Sequence, residues 1–192
     1  QRTPQSPRRV ACVRGTRPEV IKMAPVIARL RETAAFEPVV VNTGQHRELL
    51  AETLTLFDIV PDVSLDLMLD AQSLAGFSSR CLLALDETFD GLSPDAVVAQ
   101  GDTSTVLMAA LAAFYRRLPF FHVEAGLRTG DLANPFPEEL NRVVASRIAA
   151  LHFAPTAGAR EQLLREGVDD ANNAVTGNTG SDALLWTRAR WF

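Results

Sequence analysis

The chain has 192 residues, 47% of them hydrophobic and 22% charged, with a formal net charge of −4. That length can bury a sizeable core in one domain, and its mild acidity offers no basic field for a phosphate backbone, which excludes nucleic acid as a partner on charge. No apolar run approaches the ~18 residues of a membrane span, and Cys12 and Cys81 lie inside apolar patterns without CxxC spacing, as reduced core thiols of a cytoplasmic protein do.

Residues 1–9 are polar, carry two prolines and read as a disordered lead. From there strand-like and helix-like patterns alternate to residue 177, which predicts βαβ units and a doubly wound parallel sheet of the α/β class. The first strand, Val10–Val13, ends at Arg14-Gly15. Thr16 then reads as a helix N-cap, with Pro18 early in the helix and Glu19 completing a capping box. Pro25 falls inside the apolar periodicity Val20, Ala24, Ile27, Leu30 and predicts a kink or restart near Ala24. A second strand, Pro38–Val41, runs into Asn42-Thr-Gly-Gln-His46. A helix follows with Leu49, Leu50, Thr53, Leu54 and Phe57 on one face.

Val63–Asp66 reads as a short edge strand. Leu74, Phe77, Cys81, Leu85 and Phe89 mark a long helix that Gly91 and Pro94 punctuate. The strand Ala96–Gln100 leads through Gly101-Asp102 into a helix from Thr103 to Arg116 that is apolar all round and predicted buried. Next comes Leu118–Val123, an apolar run that ends abruptly in Glu124 and a glycine-bracketed turn carrying Gly126, Arg128, Gly130 and Asp131. Pro137-Glu-Glu139 opens another helix, Leu151–Ala154 is a strand, Thr156 an N-cap, and Asn173–Thr176 the final strand. The segment 178–192 reads as the start of a connection to a further domain.

Strand ends that present carboxylates at the mouth of an open α/β sheet are where such folds place their ligands. Arg17 and Lys22, beside a helix N-terminus at the end of the first strand, are suited to an anionic group, or else are surface charges of an amphipathic helix. There is neither a GxGxxG nor a P-loop, so the spacing does not match a dinucleotide site. Asp102 has the structural reading of an N-cap. Glu124 has that of a half-buried acid paired to Arg128 or another nearby cation, and Glu138 that of a favoured first-turn acid. Three acids and two cations at one sheet edge point instead to proton transfer beside an anion. His122 alternates within a buried strand and reads as a core histidine. The three histidines, His46, His122 and His152, are too scattered for a metal site, and His46 is the one placed to meet a ligand.

Gly15-Thr-Arg-Pro-Glu19, Ile21-Lys-Met-Ala-Pro25, Thr43-Gly-Gln-His46, Gly101-Asp-Thr103, His122–Asp131, Pro135-Phe-Pro-Glu-Glu139 with Asn141-Arg142, and Gly177-Asn-Thr179 with Asp182-Ala-Leu184 occur in this order. Together they resemble the non-hydrolysing UDP-N-acetylglucosamine 2-epimerases. The resemblance implies the Rossmann-like N-terminal half of a GT-B fold over 10–177, with the active site in the cleft toward a second domain that this chain does not match. It implies interconversion of UDP-GlcNAc and UDP-ManNAc, feeding polysaccharide synthesis, by elimination and re-addition of UDP. Asp102, Glu124 and Glu138 match the family's catalytic acids, Arg17 and Lys22 its site cations, and Arg128, Asn141 and Arg142 its substrate-binding positions. Gln45 and His46 match the contact to a second UDP-GlcNAc that activates some members. No metal or redox cofactor is implied, and a homodimer is.

Two positions depart from the pattern. Arg14 stands where the family usually has an apolar residue, a charge that either alters ligand entry or reaches solvent. Gly180-Ser181 replaces an apolar pair. The alternatives are a non-catalytic sugar-nucleotide-binding half and a GT-B glycosyltransferase.

Overall fold

The computed structural model describes residues 6–44 and 59–191. Within them, strands β1 (Arg8–Arg14), β2 (Phe36–Asn42), β3 (Val63–Ser64), β4 (Ala96–Gln100), β5 (Phe120–Val123), β6 (Leu151–Ala154) and β7 (Asn173–Val175) alternate with helices. The helices are α1 (Arg17–Glu32), α2 (Leu74–Leu92), α3 (Ser104–Tyr115), α4 (Glu138–Ile148), α5 (Ala157–Arg165) and α6 (Thr179–Trp191). All strand pairs are parallel, in the order β3-β2-β1-β4-β5-β6-β7. The chain winds outward one way from β1 and then the other way from β4, so the switch point lies between these two strands. That is the doubly wound sheet the alternating pattern predicts.

The central strands are apolar on both faces because both faces are covered. Ala11, Val13, Val97 and Ala99 face a core layer built with Phe77, Leu85 and Phe89 of α2 and Val106 and Ala109 of α3. Val10, Cys12 and Val98 face the other layer, with Met23, Ala24 and Ile27 of α1 and Ala183 of α6. Both cysteines are buried and free. Among the described residues no helix is long and apolar enough to cross a membrane.

Several boundaries differ from the sequence reading for identifiable reasons. β1 begins at Arg8 rather than Val10, because the Arg9 N–H donates to Asp95 Oδ2 at 2.7 Å and its guanidinium forks onto Glu37 at 3.2 Å. α1 runs through Pro25 without a restart. One missing backbone donor is a local cost, and the fully buried Met23, Ala24 and Ile27 hold the segment to the sheet. The end of α2 is set by Ser93 in a left-handed conformation (φ 46°), while Gly91 stays helical. α3 is buried along most of its length, but Phe114 and Tyr115 at its end are exposed. The segment after residue 177 forms α6, and its Ala183 is buried in the layer under α1. The helix read over 49–57 lies outside the described residues.

Candidate active site at the sheet switch point

The turn after β4 is fixed first by its backbone. Gly101 N–H donates to Val123 O at 3.0 Å, and His122 Nε2 lies 2.7 Å from Gly101 O, a contact that requires the proton on that nitrogen. Burial pushes the His122 imidazole down to about 4, so it is the neutral core histidine expected. Thr103, not Asp102, is the N-cap of α3, its hydroxyl accepting from Val106 N–H. The capping explanation for Asp102 therefore falls away, and its carboxylate turns to α4. Arg142 Nη1 donates to Asp102 Oδ2 at 3.2 Å, and Asn141 Nδ2 donates to Asp102 O at 2.9 Å. Burial holds the Asp102 carboxyl above its ordinary range. Arg142 and Lys22 pull it back, while Glu124 and Glu138 push it further. All three acids predicted for the site thus act on one electrostatic centre.

Glu124 follows directly on β5 with φ 64°, a left-handed conformation that a non-glycine residue seldom holds. Such strain persists where the surroundings enforce it, commonly at functional positions. The Glu124 carboxylate is held by Lys22, with Nζ 2.9 and 2.7 Å from its two oxygens. The side chains are 28% and 15% exposed, so the pair is screened far less than a surface ion pair. Arg128, the nearest cation in sequence, turns away instead. Its fork grips Glu166 at 2.9 and 3.0 Å. The turn between them closes against α5. At Gly126 (φ 91°) an added Cβ would sit 2.3 Å from Ala159 O, so this position tolerates only glycine.

Glu138 is the first residue of α4, and Arg17 the first of α1. Arg17 is exposed and makes no hydrogen bond or ion pair to another described residue. A cleft of about 540 Å³ runs past Thr16, Thr103, Glu138 and Asn141 toward Gln72 and Phe77. A larger apolar groove of about 700 Å³ lies beside α1 over Val98, Phe121 and Phe153, carries Arg29 and Asp182, and holds none of the site acids. Among the described residues no cluster of His, Cys, Asp and Glu side chains is arranged to hold a metal ion. Gln45 and His46 lie outside the described residues.

Glu139 went unread in the sequence. It is 1% exposed, accepts from the N–H groups of Thr129 (2.9 Å) and Gly130 (3.0 Å), and takes the Arg142 guanidinium on its other oxygen at 2.6 Å. Burial raises its carboxyl, but these donors outweigh burial and hold it below the usual range. It therefore joins the Glu124–Asp131 turn to the arginine that holds Asp102. The three-residue spacing from Glu139 to Arg142 on one helix was the available signal. Of the two outcomes open for Arg14, the solvent one is excluded: it is 1% exposed, and its guanidinium has no hydrogen-bond partner among the described residues.

A doubly wound parallel sheet with acids and cations at its switch point places the chain in the Rossmann-like α/β class. Residues 28–191 match the family model described as UDP-N-acetylglucosamine 2-epimerase. The chain belongs to that family. It is 50% identical over 182 residues to the UDP-N-acetylglucosamine 2-epimerase of Salmonella typhimurium, covering 95% of this chain and 48% of the relative. It is likewise 50% identical over 180 residues to the Escherichia coli K12 protein of that name, covering 94% and 48%. The crystal structure of the Neisseria meningitidis UDP-GlcNAc 2-epimerase bound to UDP-GlcNAc superposes with a TM-score of 0.92 at 43% identity, over 95% of this chain and 49% of that one. The chain spans about half the length of the curated relatives it matches. A lipopolysaccharide outer core galactosyltransferase, 14% identical with a TM-score of 0.62, shares the fold alone.

Proposed function

We propose that this chain supplies the N-terminal half of a UDP-GlcNAc 2-epimerase, with Asp102, Glu124 and Glu138 as its acid–base groups. The observation that carries the reading is the meeting of these acids with Lys22 at the switch point of a domain in this family, where Arg17 opens the neighbouring helix. In the reaction, a carboxylate takes the proton from C2 of the sugar as the C1–O bond to UDP breaks, leaving a C1=C2 double bond. A proton then returns to C2 from the opposite face, and the diphosphate oxygen of UDP re-forms the bond at C1. Acid–base groups are needed on both faces of C2, and cations at the departing diphosphate. Asp102, held above its ordinary range by burial, is suited to carry a proton. Arg17, exposed beside the N-terminus of α1, is suited to the diphosphate. Arg128, Asn141 and Arg142 belong to the proposed substrate-binding set; Asn141 and Arg142 also hold Asp102, and Arg128 braces its turn to Glu166.

The same reading gives the protein a place in the cytoplasm, where free thiols such as Cys12 and Cys81 persist, and a role supplying activated N-acetylmannosamine to polysaccharide synthesis. It also gives it a second UDP-GlcNAc as activator at Gln45 and His46, and a homodimer for which the exposed Phe114, Tyr115 and Leu83 offer apolar surface. The boundaries 10–177 for the domain and 178–192 for the connection belong to this proposal.

The test is NMR in deuterated water with UDP-GlcNAc, on this chain and on the chain joined to the second half its relatives carry. C2 deuteration with formation of UDP-ManNAc in the joined protein alone is the expected result. Deuteration in neither refutes the assignment. A glycosyltransferase would leave the C2 hydrogen in place.

A further inference from the structure

The buried carboxylate of Glu19 has no part in the acid–base scheme above. It is 3% exposed and lies in the first turn of α1. One oxygen accepts the N–H groups of Gly15 and Thr16, each at 2.6 Å. That is what capping a helix requires. The other oxygen does something capping does not need: it accepts the Thr103 hydroxyl at 2.5 Å, across 84 residues of sequence. Thr103 follows Asp102 directly and starts α3. Gly15 and Thr16 precede Arg17, and Lys22 lies further along the same helix.

We propose that Glu19 is a positioning residue that ties the Asp102 turn to the Arg17–Lys22 helix across the switch point, acting through the Thr103 hydroxyl. This deepens the epimerase reading and rests on it. The other anchors of the Asp102 turn among the described residues lie on the far side: Val123 O on the Gly101 N–H, His122 on the Gly101 carbonyl, Asn141 on the Asp102 carbonyl and Arg142 on the carboxylate. Those anchors set Asp102 relative to β5 and α4. Glu19 alone of these anchors sets it relative to the helix that carries Arg17 and Lys22, through a carboxylate with both oxygens engaged. Burial raises this carboxyl, and the hydrogen bonds from Thr103, Thr16 and Gly15 oppose the rise. A buried acid spending one oxygen on a neighbouring turn makes sense if the distance between the two turns matters. Displacements of about 1 Å in such a site cost on the order of a hundredfold in rate.

The experiment compares the parent, E19Q, T103V, T103S and the E19Q/T103V double variant, each in the chain joined to its second half. Two readouts are taken: hydrogen–deuterium exchange of the backbone over 14–20 and 101–106, and kcat and KM for C2 deuteration. In E19Q the amide oxygen still caps α1 and the amide NH2 meets the Thr103 hydroxyl only as a neutral donor, so the charge-assisted bond is lost. Exchange over 14–20 should stay within about twofold of the parent, while exchange over 101–106 rises about tenfold. Kinetically, kcat should fall by about ten- to a hundredfold with KM moving less than about threefold, as expected when alignment rather than binding is lost. T103S, which keeps the hydroxyl, should match the parent. The double variant should be no worse than the worse single one, because both break the same contact.

Unchanged exchange over 101–106 in E19Q would leave Glu19 a cap and nothing more, and single-variant losses that multiply in the double would show that it does not act through Thr103. If the parent itself fails to deuterate C2, the epimerase reading falls, while the exchange readout still decides whether Glu19 ties the two turns.

Discussion

Replacing Arg142 by Met removes the one cation that two site carboxylates share. Glu139, 1% exposed, would keep only the N–H groups of Thr129 and Gly130, and Asp102 would lose its ion pair. Breaking a buried pair from one side costs about 3–5 kcal/mol. The Arg142 side chain is 11% exposed and that of Asp102 32%, so the Asp102 contact is discounted for solvent and about 3 kcal/mol is expected, chiefly from Glu139. For a chain of this size each kcal/mol moves Tm by about 2–4 °C, giving a fall of about 6–12 °C. The pH dependence has a definite sign. Glu139 lies below the usual range when folded, so its stabilisation is present above the ordinary carboxylate pKa and lost as pH falls through the folded value. Asp102 is already raised, and losing Arg142 raises it further, which destabilises the variant most where the carboxylate is charged. Both effects make the parent–variant gap widest near neutrality and narrow it below about pH 4. Thermal melts of parent, R142M and R142K from pH 3 to 8 read this directly, with R142K intermediate because lysine cannot fork. A fall of less than about 2 °C at pH 7, or a gap that widens on acidification, would refute the reasoning.

Lys22→Met leaves Glu124 half-buried and unpaired, and should lower C2 deuteration by at least about a hundredfold in the joined protein; activity within threefold of the parent would remove Lys22 from the site. Gly126→Ala must place a Cβ 2.3 Å from Ala159 O at φ 91°, and a loss of at least about 2 kcal/mol in urea unfolding is expected. Arg14→Met should raise stability by about 1–4 kcal/mol, since burial drags that guanidinium down to about 10 and it has no partner among the described residues. A lower Tm for R14M would show that the charge is needed.

The alternation of strands and helices was legible because period and punctuation are local properties. β4 and the capped start of α1 are found where pattern and capping chemistry place them. Pairing was legible only in part. Glu124 needed a cation, and the structure selects Lys22, 102 residues away, over Arg128, four residues on, which is drawn to Glu166. Linear distance carries no information about which way a side chain leaves a turn held at positive φ. Of two adjacent acids opening α4, the first, Glu138, lines the cleft. The second, Glu139, is the buried one, because the arginine three residues on lies on its face of the helix. For Arg14 the sequence left two outcomes open, and burial excludes the one in which the charge reaches water.

The sheet order also has a consequence in time. Lys22 leaves the ribosome 102 residues before Glu124, an interval of roughly 5–20 s at about 5–20 residues per second. For the larger part of that interval, between the synthesis of β2 and that of β4, β1 has β2 as a partner but not β4, its other neighbour in the finished sheet. The nascent chain must therefore carry its central strand as an edge, with the site cations unpaired. The candidate site can begin to form only once β4 and β5 have been synthesised.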